Sequence, residues 1–189
     1  IYLYMWIERT YREKILEGVK SRPVVFLTGI RQAGKSSLLR KILVDADYVT
    51  LDKVLIAEEA RESPAKFINR YKKQVIIDEI QYAPTLFREL KIRIDEDRDL
   101  MGKWILTGSQ QFSLMAGISE SLAGRARLLN LYPLSVAEIE NARLLKERKD
   151  PLWKGGFPEV WAKKLDAYDF FEDYIQTYLE RDLRQILNV

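Results

Sequence analysis

Short apolar runs alternate with amphipathic stretches along most of the chain. The apolar runs predict strands at residues 24–27, 48–51, 75–77, 104–107 and 128–132. Between them, apolar residues recur with helical spacing over 7–20, after residue 35, after Pro64 and over 84–94. Continuous apolar strands that alternate with helices are typical of a parallel sheet covered on both faces. The pattern therefore predicts an α/β fold of three layers.

The last part of the sequence carries helical patterns only. Ser135 and Glu138 form a capping box, which predicts a helix of about a dozen residues from that point. Beyond Pro151 the spacing of the apolar residues is helical throughout. We therefore expect an α/β core with an N-terminal helix at residues 1–134 and a small helical appendage at residues 135–189.

A glycine-rich segment lies between the first predicted strand and the helix that follows it. It reads G-x-x-x-x-G-K-S, which in this context is the pattern of a phosphate-binding P-loop. The glycines let successive backbone N–H groups point into one hollow, and the helix adds its positive dipole end. We predict that phosphates are bound by Gly29, Arg31, Gln32, Ala33, Gly34, Lys35, Ser36 and Ser37. Lys35 can reach the β- and γ-phosphates, and the hydroxyl of Ser36 can bind Mg²⁺.

Two adjacent carboxylates, Asp78 and Glu79, follow the third predicted strand. In a P-loop NTPase, an apolar strand that ends in such a pair supplies the second half of the site. Asp78 would hold Mg²⁺, directly or through water, and Glu79 would polarise the water that attacks the γ-phosphate. The alternative is that both carboxylates lie at a solvated strand end.

Four further residues are weaker candidates. Ser109 follows the fourth predicted strand and could contact the γ-phosphate or the attacking water, although turn chemistry explains a Gly-Ser pair nearly as well. Arg125 could stabilise transition-state charge in its own chain or in a neighbour's, or it could be an ordinary solvated or ion-paired arginine. Gln81 could contact the edge of the site, and Asp52 could face the same cleft or cap a helix.

The composition removes several classes of chemistry. The 189 residues include no cysteine and no histidine, which excludes disulfide scaffolds and cysteine nucleophiles and leaves acid–base chemistry to carboxylates, lysines, tyrosines or water. The net charge of +3 gives no electrostatic case for nucleic acid. The apolar N-terminal run of seven residues is too short to span a bilayer, so we expect no membrane segment and a cytoplasmic protein.

An aromatic-rich segment at residues 166–187 has helical spacing. Packing of this helix on the core is the simpler interpretation. Because the segment is so apolar, the alternative is that it docks on a protein partner or on a further domain that this chain lacks.

Taken together, the motifs resemble a family of AAA+-like ATPases in which an N-terminal ATPase domain usually precedes a C-terminal domain of unknown function, of the DUF4143 type. The resemblance rests on the P-loop, Asp78-Glu79 and Thr107-Gly108-Ser109. It also rests on Ser121-Leu-Ala-Gly124-Arg125, Tyr132-Pro-Leu-Ser135 with Glu138, Gly155-Gly-Phe-Pro158 and Tyr178-Leu-Glu-Arg181-Asp182. These segments follow one another in the family's order across nearly the whole chain.

The resemblance implies a P-loop NTPase core with a five-stranded parallel sheet in the order 5-1-4-3-2. It implies ATP and Mg²⁺ as ligands and the roles argued above for Asp78 and Glu79. Ser109 resembles the family's sensor residue. Arg125 matches the family's arginine, without showing whether it serves its own site or a second copy's in a homo-oligomer. The helical part would be a lid or a connector to a C-terminal domain absent from this chain.

Three functions remain open at this stage. The first is an ATP hydrolase coupled to an unknown partner or effector domain, and the second is a nucleotide-dependent switch with little turnover. The third, a nucleic-acid motor, needs a basic groove, for which the basic residues Arg9, Arg12, Lys14 and Lys20 are the available candidates. The Asn-Lys-x-Asp motif that reads guanine is absent from the sequence, which leaves ATP as the expected nucleotide.

Overall fold

The computed structural model describes residues 5–108, 117 and 120–179, and all structural statements below refer to these residues. The sheet-containing part has helices α1 (Arg12–Ser21), α2 (Lys35–Ile42), α3 (Val54–Glu62), α4 (Pro64–Asn69) and α5 (Leu86–Glu96). Its strands are β1 (Val24–Thr28), β2 (Asp47–Thr50), β3 (Val75–Asp78), β4 (Trp104–Gly108) and β5 (Ala126–Asn130). A short 3₁₀ helix covers Ile80–Tyr82. The later helices are α6 (Val136–Asn141), α7 (Asp150–Lys154), α8 (Pro158–Lys163) and α9 (Ala167–Tyr174), followed by a π-helical turn at Ile175–Leu179.

The five strands form one sheet in the order β2-β3-β4-β1-β5, and every pairing is parallel. This confirms the predicted parallel sheet and the strand order 5-1-4-3-2, here written from its other edge. Strand β1 lies between β4 and β5, with Val24 opposite Trp104 on one side and Ala126 on the other. Because all strands run the same way, the carboxyl ends of β1, β3 and β4 lie at one edge of the sheet, where ligands of open α/β sheets bind.

The three central strands are buried along their whole length. Phe26, Ile77 and Leu106 belong to one core cluster, which includes Phe67 of α4 and Leu90 of α5. Successive side chains of a strand point to opposite faces, so the neighbouring buried residues face the other layer. The continuous apolar runs of the sequence therefore correspond to a sheet that is covered on both faces, as predicted.

Some elements differ from the sequence-based expectation. Helix α3 was not predicted, and its exposed Val54 and Leu55 explain why no apolar face is readable in the sequence.

The capping box is confirmed, since the Ser135 hydroxyl accepts from the N–H of Glu138 while the Glu138 carboxylate accepts from the N–H of Ser135. Helix α6 spans only six residues rather than about a dozen. It ends early because Arg143 has a left-handed backbone (φ 56°) and the N–H of Leu144 bonds back to the carbonyl of Ile139.

Backbone contacts divide the chain into two compact units, one covering Thr10–Tyr132 and the other the residues up to Arg9 with those from Pro133 onward. Inside the second unit, the buried side chains of Arg9 and Glu138 form an ion pair with an Nε–Oε1 distance of 3.2 Å. Ile7 packs in the same unit's core with Trp161. We retain the division into domains near residue 134 as a proposal.

The described part of the aromatic segment has a packed side and an exposed side. Phe170, Phe171 and Tyr174 surround Phe157, with ring centroids 4.9–5.7 Å from its own. Tyr168, on the same helix, is 75% exposed. Packing within the helical unit therefore accounts for part of the segment, and its later residues lie outside the described ranges.

Among the described residues, no helix combines the length and the apolar character needed to cross a bilayer.

Candidate functional site

The glycine-rich loop joins the carboxyl end of β1 to the first turn of α2. Its backbone adopts positive φ angles at Gly29 (147°), Gln32 (59°) and Gly34 (90°). Gly34 is the N-cap of α2, so the positive end of this helix opens into the loop. Ala33 and Lys35 are buried, Arg31 and Ser36 are half-buried, and Gln32 and Ser37 are exposed. The loop thus combines a helix N-terminus with two neighbouring cations, Arg31 and Lys35, which suits an anion.

Gly29 is required by a close backbone approach. The N–H of Leu131 donates to the carbonyl of Thr28, which brings the chain after β5 against the start of the loop. A Cβ atom at Gly29 would overlap the carbonyl oxygen of Leu131. Gly124 also has a positive φ (72°), but a Cβ atom there would meet no other atom within 4 Å. A side chain at Gly29 would therefore cause both steric overlap and backbone strain, whereas a side chain at Gly124 would cause backbone strain alone.

We expect Gly29→Ala to lower the free energy of unfolding by about 3 kcal/mol, because the overlap adds to the strain of a left-handed residue. The matched substitution Gly124→Ala should cost only about 1 kcal/mol, since it carries the strain alone. Urea denaturation of the two variants beside the wild type measures both values. Equal losses would show that Leu131 can move away from a side chain at position 29.

Lys35 is the most buried cation of the loop, with 6% of its surface exposed. Its Nζ donates to the carbonyl oxygens of Gly29 and Ile30 at 2.9 and 3.0 Å. Burial lowers the pKa of Lys35, and the carboxylates of Glu79 and Asp78 partly offset that effect. Because the two carbonyls are neutral, the ammonium has hydrogen bonds but, in the part of the chain that the structure describes, no directly bonded counter-charge. An anionic ligand in the loop would supply that charge.

Asp78, at the end of β3, lies at the centre of a cluster of hydroxyl groups. Its Oδ1 accepts from the hydroxyl of Ser36 at 2.8 Å and from the hydroxyl of Thr107. Only 5% of Asp78 is exposed. A serine hydroxyl and a carboxylate are both oxygen donors, which are the ligands that Mg²⁺ prefers. These residues therefore fit a magnesium ion.

The second oxygen of Asp78 has a partner that the sequence did not reveal. The hydroxyl of Tyr48 donates to Oδ2 of Asp78 at 2.7 Å. Desolvation by burial and this hydrogen bond both raise the pKa of Tyr48 above its ordinary value. In the register of β2 and β3, Tyr48 is opposite Ile76 and Thr50 is opposite Asp78, so Tyr48 and Asp78 are diagonal neighbours on one face. Only the register of the two strands makes this pairing visible.

Glu79 lies next to this cluster in a strained conformation. Its φ of 59° is unusual for a residue with a side chain and costs free energy, which is common at functional sites. The N–H of Glu79 donates to the hydroxyl of Thr107 at 3.2 Å, and its Oε2 accepts from the amide of Gln81. The other amide atom of Gln81, Oε1, is buried without a hydrogen-bond partner among the described residues. The carboxylate of Glu79 is thus held in place beside the loop.

One of the weaker candidates, Arg125, is separated from this cluster. Arg125 lies at the amino edge of the sheet, where its carbonyl accepts from the N–H of Val24. The length of β1 therefore separates it from its own loop by about 13 Å. Its guanidinium instead donates to Oδ1 of Asp95 at 2.6 and 2.9 Å. Asp52 is exposed and interacts with Thr50, and it lies close enough to Tyr48 of the cluster to interact with it electrostatically. Ser109 lies outside the described residues.

Sequence reasoning also missed Thr107, which bridges Asp78 and the backbone of Glu79 and is completely buried. Thr107 is the last residue of the predicted strand 104–107, and this position at the carboxyl end of a strand is a signal that could have marked it as a site residue. The sequence-based prediction instead names Ser109, two residues further along the chain.

Family models, curated protein sequences and solved structures all include proteins that are similar to this chain. A family model described as an AAA domain matches residues 21–140, and one described as a domain of unknown function (DUF8612) matches residues 145–189. The resemblance implied a domain of the DUF4143 type, which the comparisons do not show. The uncharacterized proteins Mb2031c of Mycobacterium bovis and Rv2008c of Mycobacterium tuberculosis are 35% identical over 169 residues. That match covers 87% of this chain, which spans 37% of the length of these relatives.

Solved structures show the same fold. The Walker-type ATPase paby2304 of Pyrococcus abyssi superposes with a TM-score of 0.62 and 18% identity over 95% of this chain and 76% of its own. The AMPPCP-bound DnaA of Aquifex aeolicus gives a TM-score of 0.51 and 18% identity, over 93% of this chain and 66% of its own. The chain thus shares its fold with these two proteins. Because a family model described as an AAA domain matches more than half of its length, the chain belongs to the AAA domain family.

Proposed function

We propose that this domain binds ATP with Mg²⁺ at the carboxyl edge of its sheet and hydrolyses it to ADP and phosphate. The observation that carries the proposal is the hydrogen bond of 2.8 Å between Ser36 and Asp78, beside the buried ammonium of Lys35. It joins the loop after β1 to the carboxylate at the end of β3, and so supports a shared role of the two segments in binding phosphate and metal.

Each part of the site has a distinct task in this proposal. The backbone of the loop and Lys35 bind the phosphates, and Lys35 exchanges neutral carbonyl partners for anionic oxygens. Ser36 and Asp78 would hold Mg²⁺, which when bound neutralises charge on the phosphate oxygens. Arg31 lies near enough to Lys35 to lower its pKa, and it adds a second positive charge to the same hollow.

Glu79 is the general base of the proposed reaction. A water molecule attacks the γ-phosphorus in line, the bond from that phosphorus to the β–γ bridging oxygen breaks, and ADP leaves. The proton of the water passes to the carboxylate of Glu79. Gln81 and the hydroxyl of Thr107 hold this residue in position. The chain has no histidine to take the role instead.

Titration calorimetry with ATP, GTP and ADP in the presence of Mg²⁺ tests the nucleotide-binding part of the proposal. We expect ATP and ADP to bind and GTP to bind more weakly, because the guanine-reading motif is absent. Absence of binding by all three nucleotides would overturn the proposal.

We also propose that Arg125 completes the site of a second copy of the chain. It is too far from its own loop, and it borders a cavity of about 330 Å³ that Arg22 and Arg98 also line. Asp95, the ion-pair partner of Arg125, lines the same cavity, so three arginines and one carboxylate give a net positive surface at the amino edge of the sheet. If the nucleotide site of a second copy approached this surface, the phosphates of its bound ATP would lie near the guanidinium of Arg125.

Arg125→Ala should bind ATP normally and hydrolyse it about 10³-fold more slowly. Mixing it with Lys35→Ala should restore part of the turnover, since one variant keeps the loop and the other keeps the arginine. Asp95→Asn is the control, because it removes the same ion pair and keeps the guanidinium. Full turnover by Arg125→Ala would remove Arg125 from the mechanism, and no recovery in the mixture would show that it does not act between copies.

The exposed side of the helical unit is the proposed docking surface for the partner or effector domain. Trp153 and Tyr168 are each 75% exposed, and together with Ile175 they border a groove of about 600 Å³. Side chains of this size are common anchors in protein interfaces. The curated relatives contain further chain that could supply such a domain.

A further inference from the structure

We infer that Tyr48 is a positioning residue of the magnesium site: its hydroxyl fixes the carboxylate of Asp78 in the orientation that holds the hydrated ion. The inference rests on the proposed function, and it concerns a residue on β2 that lies outside the glycine-rich loop and the Asp-Glu pair. It is carried by the hydrogen bond of 2.7 Å between the Tyr48 hydroxyl and Oδ2 of Asp78.

The acceptor positions of Asp78 are nearly all occupied. A carboxylate offers about four positions, two on each oxygen. The hydroxyls of Ser36 and Thr107 occupy both positions on Oδ1, and the hydroxyl of Tyr48 occupies one on Oδ2. Among the described residues, these three hydroxyls are the hydrogen-bond donors to Asp78. One acceptor position on Oδ2 therefore remains, and the hydrated ion would use it. The hydrogen bond from Tyr48 fixes the orientation of this carboxylate oxygen.

Tyr48 is itself held on two sides. Its backbone belongs to β2, which pairs with β3 in register up to Thr50 and Asp78. The guanidinium of Arg40, on helix α2, lies 4.8 Å from the centre of the Tyr48 ring. Helix α2 also carries Lys35 and Ser36 in its first turn. The tyrosine thus connects the helix of the glycine-rich loop to the carboxylate of β3.

A role of Tyr48 in metal binding and a purely structural role predict different effects on ATP affinity with and without Mg²⁺. Partners that orient a metal ligand typically contribute 10- to 100-fold to metal affinity, because a loose ligand loses part of its interaction with the ion. ATP binding without the metal does not depend on this orientation. Loss of a structural tyrosine would instead weaken ATP binding with and without Mg²⁺ alike, since the loop itself would move.

The test is a titration of MgCl₂ at fixed ATP, with calorimetric ATP affinity measured at each concentration and in EDTA. We expect Tyr48→Phe to need about tenfold more Mg²⁺ for half of the gain in ATP affinity. Its ATP affinity in EDTA should equal that of the wild type. The variant keeps the ring and its contact with Arg40, so it should retain the fold.

Tyr11→Phe is the matched control. The ring of Tyr11 also lies under a cation, with Nζ of Lys14 at 5.0 Å, and its hydroxyl has no hydrogen bond among the described residues. This variant should respond to Mg²⁺ as the wild type does. An unchanged Mg²⁺ requirement in Tyr48→Phe, or an equal loss of ATP affinity in EDTA, would overturn the inference while the proposed function stands. A wild type whose ATP affinity is insensitive to Mg²⁺ would overturn the inference together with the metal part of the proposed function.

Discussion

Glu79→Gln will bind Mg-ATP as the wild type does and hydrolyse it on the order of 10³-fold more slowly. Glutamine has nearly the shape of glutamate but cannot take a proton from water, so only the chemical step is affected. The backbone N–H that bonds to Thr107 is kept. Calorimetric ATP affinity and the rate of phosphate release, measured on the same preparation, separate the two effects.

Glu62→Gln is the control for Glu79→Gln, because Glu62 is an exposed carboxylate at the end of α3. It should keep both ATP affinity and turnover. Turnover that survives in Glu79→Gln would mean that another group is the base. If turnover is negligible in both the wild type and the variant while ATP still binds, the domain is a nucleotide-dependent switch, the alternative left open by its sequence.

Lys35→Ala will lower the affinity for ATP by a hundredfold or more. Removing one partner of a buried charge pair costs about 2–5 kcal/mol, and the phosphates would lose the most buried cation of the loop. Because burial lowers the pKa of Lys35, the charged ammonium costs free energy in the nucleotide-free site. The alanine variant should therefore keep its fold, which thermal unfolding checks.

Lys66→Ala serves as the matched control, since Lys66 is an exposed lysine on α4. Its ATP affinity should equal that of the wild type. ATP affinity that is retained in Lys35→Ala would place the nucleotide elsewhere on the protein.

The sequence was sufficient for the fold because the signals were local. Each central strand is a run of four or five buried residues, and such runs between helices leave few arrangements other than a covered parallel sheet. The family resemblance added the strand order. The length of α6 could not be predicted, because the left-handed conformation of Arg143 that ends it has no glycine to mark it.

The candidate site likewise contains residues that could be predicted from the sequence and residues that could not. Ser36 and Asp78 belong to recognisable motifs, and the parallel sheet places them in contact. Tyr48 and Thr107 are ordinary strand residues in the sequence, and their contacts with Asp78 depend on strand register. The distance of Arg125 from its own loop depends on where β5 begins, which the sequence-based boundary missed by two residues. The catalytic and binding roles of all these residues remain predictions.

The most direct test of the account is the rate of phosphate release from ATP by the wild type, measured in Mg²⁺ and in EDTA, with Glu79→Gln as the background. The account predicts Mg²⁺-dependent release by the wild type that is absent in EDTA and nearly absent in the variant. A rate equal to that of the variant under every condition would contradict the claim that this site hydrolyses ATP.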